Sequence, residues 1–150
     1  MAKSNGVLEM NSITKNIITA ISIEICLSFL VFILFHNLFL GYYENSVDLI
    51  VWLWLPISMA VIAMYTMAWY LGKQLPANYA YKTYHGIIIL FSLLIVAVLV
   101  GCFVFSLQGN NDFDDVTDVF PVLLIFLVFG SLPTLFVGHW LGKKLNKLKQ

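Results

Sequence analysis

The chain has 150 residues, 61% of them hydrophobic and 11% charged, with a formal net charge of zero and a mean hydropathy of +0.90. A soluble domain carries about 25% charged residues, so this composition excludes an ordinary water-soluble globule and suits membrane spans joined by short connectors. Every basic residue is lysine and none is arginine; without the forked guanidinium that contacts bases and phosphates bidentately, nucleic acid is not an expected partner.

Residues 1–16 are polar and carry Lys3, Glu9 and Lys15. The first long apolar run is 17–40. A secretory signal core is about 7–15 residues long and ends at a small-residue cleavage site. This run is longer and leads into Gly41-Tyr42-Tyr43-Glu44, so it reads as a retained transmembrane helix. The connector that follows holds Glu44 and Asp48.

The second run, 49–71, has Trp52 and Trp54 at one end and Trp69 and Tyr70 at the other. Amphipathic rings favour the two membrane–water interfaces. Pro56 falls inside the run and removes one backbone donor. The next connector contains Lys73, Pro76, Lys82 and three tyrosines. A third run covers 86–107. An acidic stretch with Asp112, Asp114, Asp115 and Asp118 leads into the fourth, 119–141, which closes on Gly142 and a lysine-rich tail. Each run of about 20 residues spans ~30 Å as a helix, enough to cross the hydrocarbon core.

Charge sign orients the spans. All lysines fall at the N-terminus, in the second connector or in the tail. The acids of the first and third connectors face no lysine in the same connector. Lysine on the cytoplasmic side predicts an all-α membrane protein with four transmembrane helices and both termini cytoplasmic, forming one domain in a bacterial inner membrane. Asp48 and Asp118 open the even-numbered spans, and Leu-Gly-Lys-x-Leu closes them at 71–75 and 141–145. This spacing predicts two parallel helix-hairpin repeats related by an axis along the membrane normal.

Three constellations are candidates for function. The first is a set of small residues four apart: Ala68 and Gly72, Ala97 and Gly101, Gly138 and Gly142. Lipid supplies no hydrophobic drive for helix association, so close backbone approach at such faces has to supply it. These pairs predict packing within the bundle, or a homo-oligomer interface.

The second is Glu24, the only Asp, Glu, Lys or Arg within a run. A charge there costs several kcal/mol, so the carboxyl needs a proton, a partner or water. Asn16, Ala20, Glu24 and Ser28 follow at four-residue steps, and the same depth on the other spans reaches Tyr65, Thr66, Ser92 and Thr134. These residues predict an intramembrane polar layer. Its alternative role is a proton or cation site in a homo-oligomeric transporter or channel.

The third is the external acidic loop. Residues 110–115 superficially resemble a calcium loop, but no glycine stands at the sixth position and Pro121 takes the place of the bidentate glutamate. It reads as a solvated topology signal. No metal or other cofactor is expected. His36, His85 and His139 share neither depth nor metal-ligand spacing, and Cys26 and Cys102 sit within separate apolar runs. There is no nucleophile–base set or glycine-rich phosphate loop, so catalysis is not expected.

The expected partners are the bilayer and a membrane or cytoplasmic protein, bound through helix faces and short loops. Small four-span proteins of this topology include immunity proteins against pore-forming bacteriocins and membrane subunits of phage-defence systems. That likeness is one of architecture.

Overall fold

The computed structural model describes residues 3–39, 51, 53–76, 79–107 and 116–148; within its helices the side chains of 3–11, 36, 37, 39 and 116–126 lie outside the described residues. The described chain is all-helical: α1 (Lys3–Phe39), α2 (Trp54–Gln74), α3 (Thr83–Leu107) and α4 (Val116–Lys147). Three segments, Ser12–Phe35, Trp54–Gln74 and Thr83–Leu107, are long and apolar enough to cross a membrane. They mark the chain as an integral membrane protein.

The helices overrun several expected boundaries. The helix of α1 begins at Lys3, well before the apolar run, because no proline interrupts the polar N-terminal segment. Pro56 lies in the first turn of α2, where its missing N–H is one of the donors a helix start leaves unpaired anyway. The first described bond of this turn runs from Ile57 N–H to Leu53 C=O at 3.0 Å. At its other end α2 stops where Leu75 turns extended (φ −69°, ψ 121°). Pro76 follows, and a residue before proline is pushed out of the helical region.

Lys82 N–H donates to His85 Nδ1 at 2.8 Å. His85 thus reaches back from the third helical position to satisfy the residue preceding α3, as the acid of a capping box does. His139 is exposed on α4. Trp52, the His36 side chain and the connector 41–48, expected at the bilayer boundary, lie outside the described residues or side chains.

Each helix packs mainly on two neighbours, so that α1, α2, α3 and α4 form a ring in chain order. Neighbours run antiparallel. Thr14 near the start of α1 meets Gly72 near the end of α2, while Gly101 late in α3 lies beside Ala60 and Pro56 early in α2. This is an up-down-up-down bundle. Its fully buried side chains, including Ile17, Ile21, Leu90, Leu93, Leu141 and Leu145, cluster toward the lysine-bearing end.

Glycines set the spacing at that end. A Cβ on Gly142 would lie 2.7 Å from Thr83 Cα and one on Gly138 2.7 Å from Ile87 Cα. A Cβ on Gly86 would run into the Gly142 amide nitrogen and the Gly138 carbonyl oxygen. Here α3 and α4 touch backbone to backbone. On the other hairpin, a Cβ on Gly72 would sit 2.9 Å from Thr14 Cα. Gly72 and Gly142 both lie inside their helices, although glycine after an apolar run usually marks a helix C-terminus. Their role is approach, and the helices continue to Gln74 and Lys147.

Buried Met64, Ala68 and Gly72 on α2 recur seventy residues later as buried Thr134, Gly138 and Gly142 on α4. Both helices carry a lysine–tryptophan pair near this end, with Lys73 Nζ 3.4 Å from the Trp69 ring centre and Lys144 Nζ 5.5 Å from that of Trp140.

Candidate functional site

Glu24 is buried on α1, with 1% of its surface exposed. Its Oε1 is in direct hydrogen-bond contact with the Thr134 hydroxyl of α4, which is itself fully buried. Thr134 Oγ1 also reaches the Gly130 carbonyl oxygen one turn back, at 2.8 Å. Glu24 Oε2 is buried and has no hydrogen-bond partner among the described residues. An orphaned buried oxygen of this kind costs about 1–3 kcal/mol.

The local sequence explains the geometry. Gly130, Thr134, Gly138 and Gly142 form one stripe of small residues along α4, facing the bundle interior. At Gly130 a Cβ would lie 2.8 Å from Leu94 Cδ1, so α3 also closes on this stripe. Pro133 is buried beside Thr134 and has no N–H to offer the Phe129 carbonyl. Around this break, Ser131 donates to Val128 C=O and Thr134 shares Gly130 C=O.

The remaining residues of the expected polar layer divide between inside and outside. Tyr65 bonds Ser22 at 2.8 Å, an α1–α2 contact, while Ser22 also donates to Ile18 C=O at 3.0 Å. Ser28 is half-buried one turn beyond Glu24. Thr66 and Ser92 are exposed, and each returns its hydroxyl to its own helix, at Ile62 C=O and Ile88 C=O. The structure thus brings Glu24 together with Thr134 and puts Tyr65 on a separate contact.

Depth counting omitted Ser22 and Gly130. Ser22 lies two residues before Glu24, about 200° around a helix. It therefore faces α2 while Glu24 faces α4. Gly130 was discoverable as the next member of the small-residue stripe.

Among the expected packing residues, Ala68, Gly72, Gly138 and Gly142 are buried against other helices of the same chain. Ala97 is buried on α3. Gly101 differs, because a Cβ there would meet Ala60 Cβ and Pro56 O at an ordinary 3.6 Å. Asp112, Asp114 and Asp115 lie outside the described residues, as does the side chain of Asp118. Among the described residues no three His, Cys, Asp or Glu side chains group to hold a metal. Cys26 and Cys102 are unpaired thiols on α1 and α3.

No protein-family model, curated protein or solved structure matches the chain.

Proposed function

We propose that this chain is a small non-catalytic membrane protein that acts through helix–helix and protein–protein contacts in the bilayer, as a membrane subunit of an immunity or phage-defence system does. In this reading α4 completes a four-span domain of a bacterial inner membrane. Both termini are cytoplasmic, and the two hairpins descend from one duplicated unit. The recurrence of Met64, Ala68 and Gly72 as Thr134, Gly138 and Gly142 supports the duplication.

The observation that carries the functional reading is the filled interior. Leu90, Leu93, Leu141 and Leu145 are fully buried, and α3 and α4 meet backbone to backbone at the lysine-bearing end. A polar solute crossing the monomer would have to displace this packing. Recognition is then left to the outward surface. That surface presents large apolar side chains such as Leu30, Leu34, Ile62, Leu99, Phe103 and Phe136 to lipid or to a neighbouring helix.

One observation favours a second reading. The orphaned Glu24 Oε2 is the kind of group an ion path in a homo-oligomer would use. Two measurements on the full chain separate the readings. Isolation from native membranes in mild detergent should give a stoichiometric complex with a second protein. The purified chain in sealed liposomes should carry no proton or alkali-cation flux. A homo-oligomer that conducts, with conduction lost in Glu24→Gln, would replace the interaction reading with the transport one.

A further inference from the structure

We propose that Glu24, Thr134 and the Gly130 carbonyl form a binding site for one exchangeable proton, and that this proton latches α1 to α4. A hydroxyl has a single proton to donate. Thr134 Oγ1 lies in hydrogen-bond contact with two acceptors, Glu24 Oε1 and Gly130 O. It can donate to one of them. With Glu24 ionised, the other contact would press two lone pairs together, and a carboxylate would be buried without a cation.

One added proton resolves both problems. Glu24 Oε1–H donates to Thr134 Oγ1, Thr134 donates to Gly130 C=O, and no formal charge remains. Oε2 is then an under-satisfied neutral oxygen rather than part of a buried anion.

Among the described residues the surroundings offer no substitute for that proton. The core-facing side chains of α2 and α3 include Met64, Ala68, Leu90, Leu93 and Leu94, all apolar. The Tyr65 phenol on α2 is bonded to Ser22. On α3 the titratable groups are Tyr84, His85 and Cys102; the first two lie in its opening turn and Cys102 is in its far half, while His139 and the lysines of α4 are exposed. Lys15 on α1 and Lys73 on α2 are exposed too.

The position gives the proton its consequence. Glu24 is the last fully buried side chain on α1 among the described residues; from there to Phe35 its side chains are half-buried or exposed. Beyond it, α1 and α4 touch through the Phe35 and Phe129 rings, with centroids 4.4 Å apart. Release breaks the Glu24 O–H bond, passes the proton to water and leaves a carboxylate. That carboxylate needs hydration, which reaches it when α1 parts from α4. The glycine contacts at the opposite end stay closed, so only the outer half of α1 is freed. The inference goes beyond the interaction reading and does not rest on it: its test uses the purified chain without a partner.

The test is a pH titration of the full chain in lipid nanodiscs, with two readouts. The infrared carbonyl stretch of a protonated carboxyl group is isolated as the difference between the wild-type and Glu24→Gln spectra. Spin labels at the exposed positions Leu30 and Val128 report the distance between α1 and α4. At neutral pH the carboxyl band should be present and the distance short. As pH rises the band should vanish and the distance lengthen with the same midpoint. Glu24→Gln, whose amide donates to Thr134 but cannot ionise, should stay short throughout. Thr134→Val removes the acceptor and should move both midpoints together, which keeps the proposal testable should Glu24→Gln assemble poorly. The proposal is overturned by a band absent at neutral pH, a band that never titrates, a distance that ignores loss of the band, or a Glu24→Gln distance that lengthens like the wild type.

Discussion

Replacing Gly142 with alanine tests the claim that α3 and α4 meet through backbone. The added methyl would lie 2.6 Å from the Thr83 carbonyl carbon and 2.7 Å from its Cα, and closer still to the carbonyl oxygen. These are backbone atoms, so no side chain can swing away. Gly86 already fills the adjoining space between Gly138 and Gly142. The two helices must therefore separate, giving up van der Waals contact in a medium where that contact drives association. Overpacking costs about 1–3 kcal/mol, and a clash with fixed backbone belongs at the upper end. Replacing glycine with alanine inside a helix returns about 1 kcal/mol. The expected net loss is about 2 kcal/mol. Gly101→Ala is the control: its methyl finds ordinary contact at 3.6 Å and should gain up to ~1 kcal/mol. At ~2–4 °C per kcal/mol for a chain of this size, the two variants should melt roughly 6–12 °C apart. Thermal unfolding in mild detergent, followed by circular dichroism and by loss of the monodisperse species, measures the difference. Equal melting of the two variants would refute backbone contact at Gly142.

Glu24→Leu removes the Oε1 contact with Thr134 along with the orphaned oxygen, so this variant should lose its α1–α4 latch and melt below Glu24→Gln near neutral pH; equal melting of the two variants would show that the hydrogen bond to Thr134 holds nothing together. Tyr81, buried in the α2–α3 connector, donates to Pro76 C=O at 2.9 Å, and burial, then the neighbouring Tyr79, pushes its phenol above the usual range. Its contribution to stability is therefore complete below the unfolded phenol value of about 10 and is lost as pH rises through the higher folded value. Tyr81→Phe should flatten that alkaline decline, and an unchanged alkaline profile would count against the assignment. In a background without Cys26 and Cys102, cysteines at Asn45 and Asn111 should react with an impermeant reagent on intact cells, while those at Asn78 and Asn146 should react only after lysis; external labelling of Asn78 would overturn the common cytoplasmic side of the termini.

Much of the helical architecture was legible because lipid imposes it. A run of uncharged apolar residues has few alternatives to a helix when every backbone group must be paired internally. The helices therefore fall where the runs do, with boundaries displaced where glycine or proline served another purpose. Gly72 and Gly142 close their apolar runs in the sequence yet lie inside their helices as the close-contact points their four-residue spacing suggests, and Pro56, inside its apolar run, lies in an opening turn. The polar layer was less legible. Counting residues along an axis gives depth, and depth puts Glu24 on the level of Thr134, which the structure places in contact with it. It carries no azimuth, so it could not separate Ser22, turned toward α2, from Glu24, turned toward α4. Nor could it tell that Thr66 and Ser92 point outward and satisfy themselves on their own helices. The small-residue spacing had the same limit: a Cβ on Gly138 or Gly142 would lie 2.7 Å from a neighbouring Cα, one on Gly101 would find ordinary contacts at 3.6 Å, and only the packed partner distinguishes them.

The contact between Glu24 and Thr134 joins residues 110 positions apart, which sets a timetable for biosynthesis. A ribosome adding ~5–20 residues per second makes Thr134 roughly 5–20 s after Glu24. Throughout that interval the nascent α1 carries a carboxyl group whose acceptor has not yet been synthesised. The hairpin of α1 and α2 can seat Gly72 against Thr14 early, but it cannot satisfy Glu24. The emerging chain must shelter that side chain at the insertion machinery or near the headgroups until α4 arrives. Final docking of the first helix is thus tied to completion of the last, and a chain that stops before α4 carries its own mark of incompleteness in the first span.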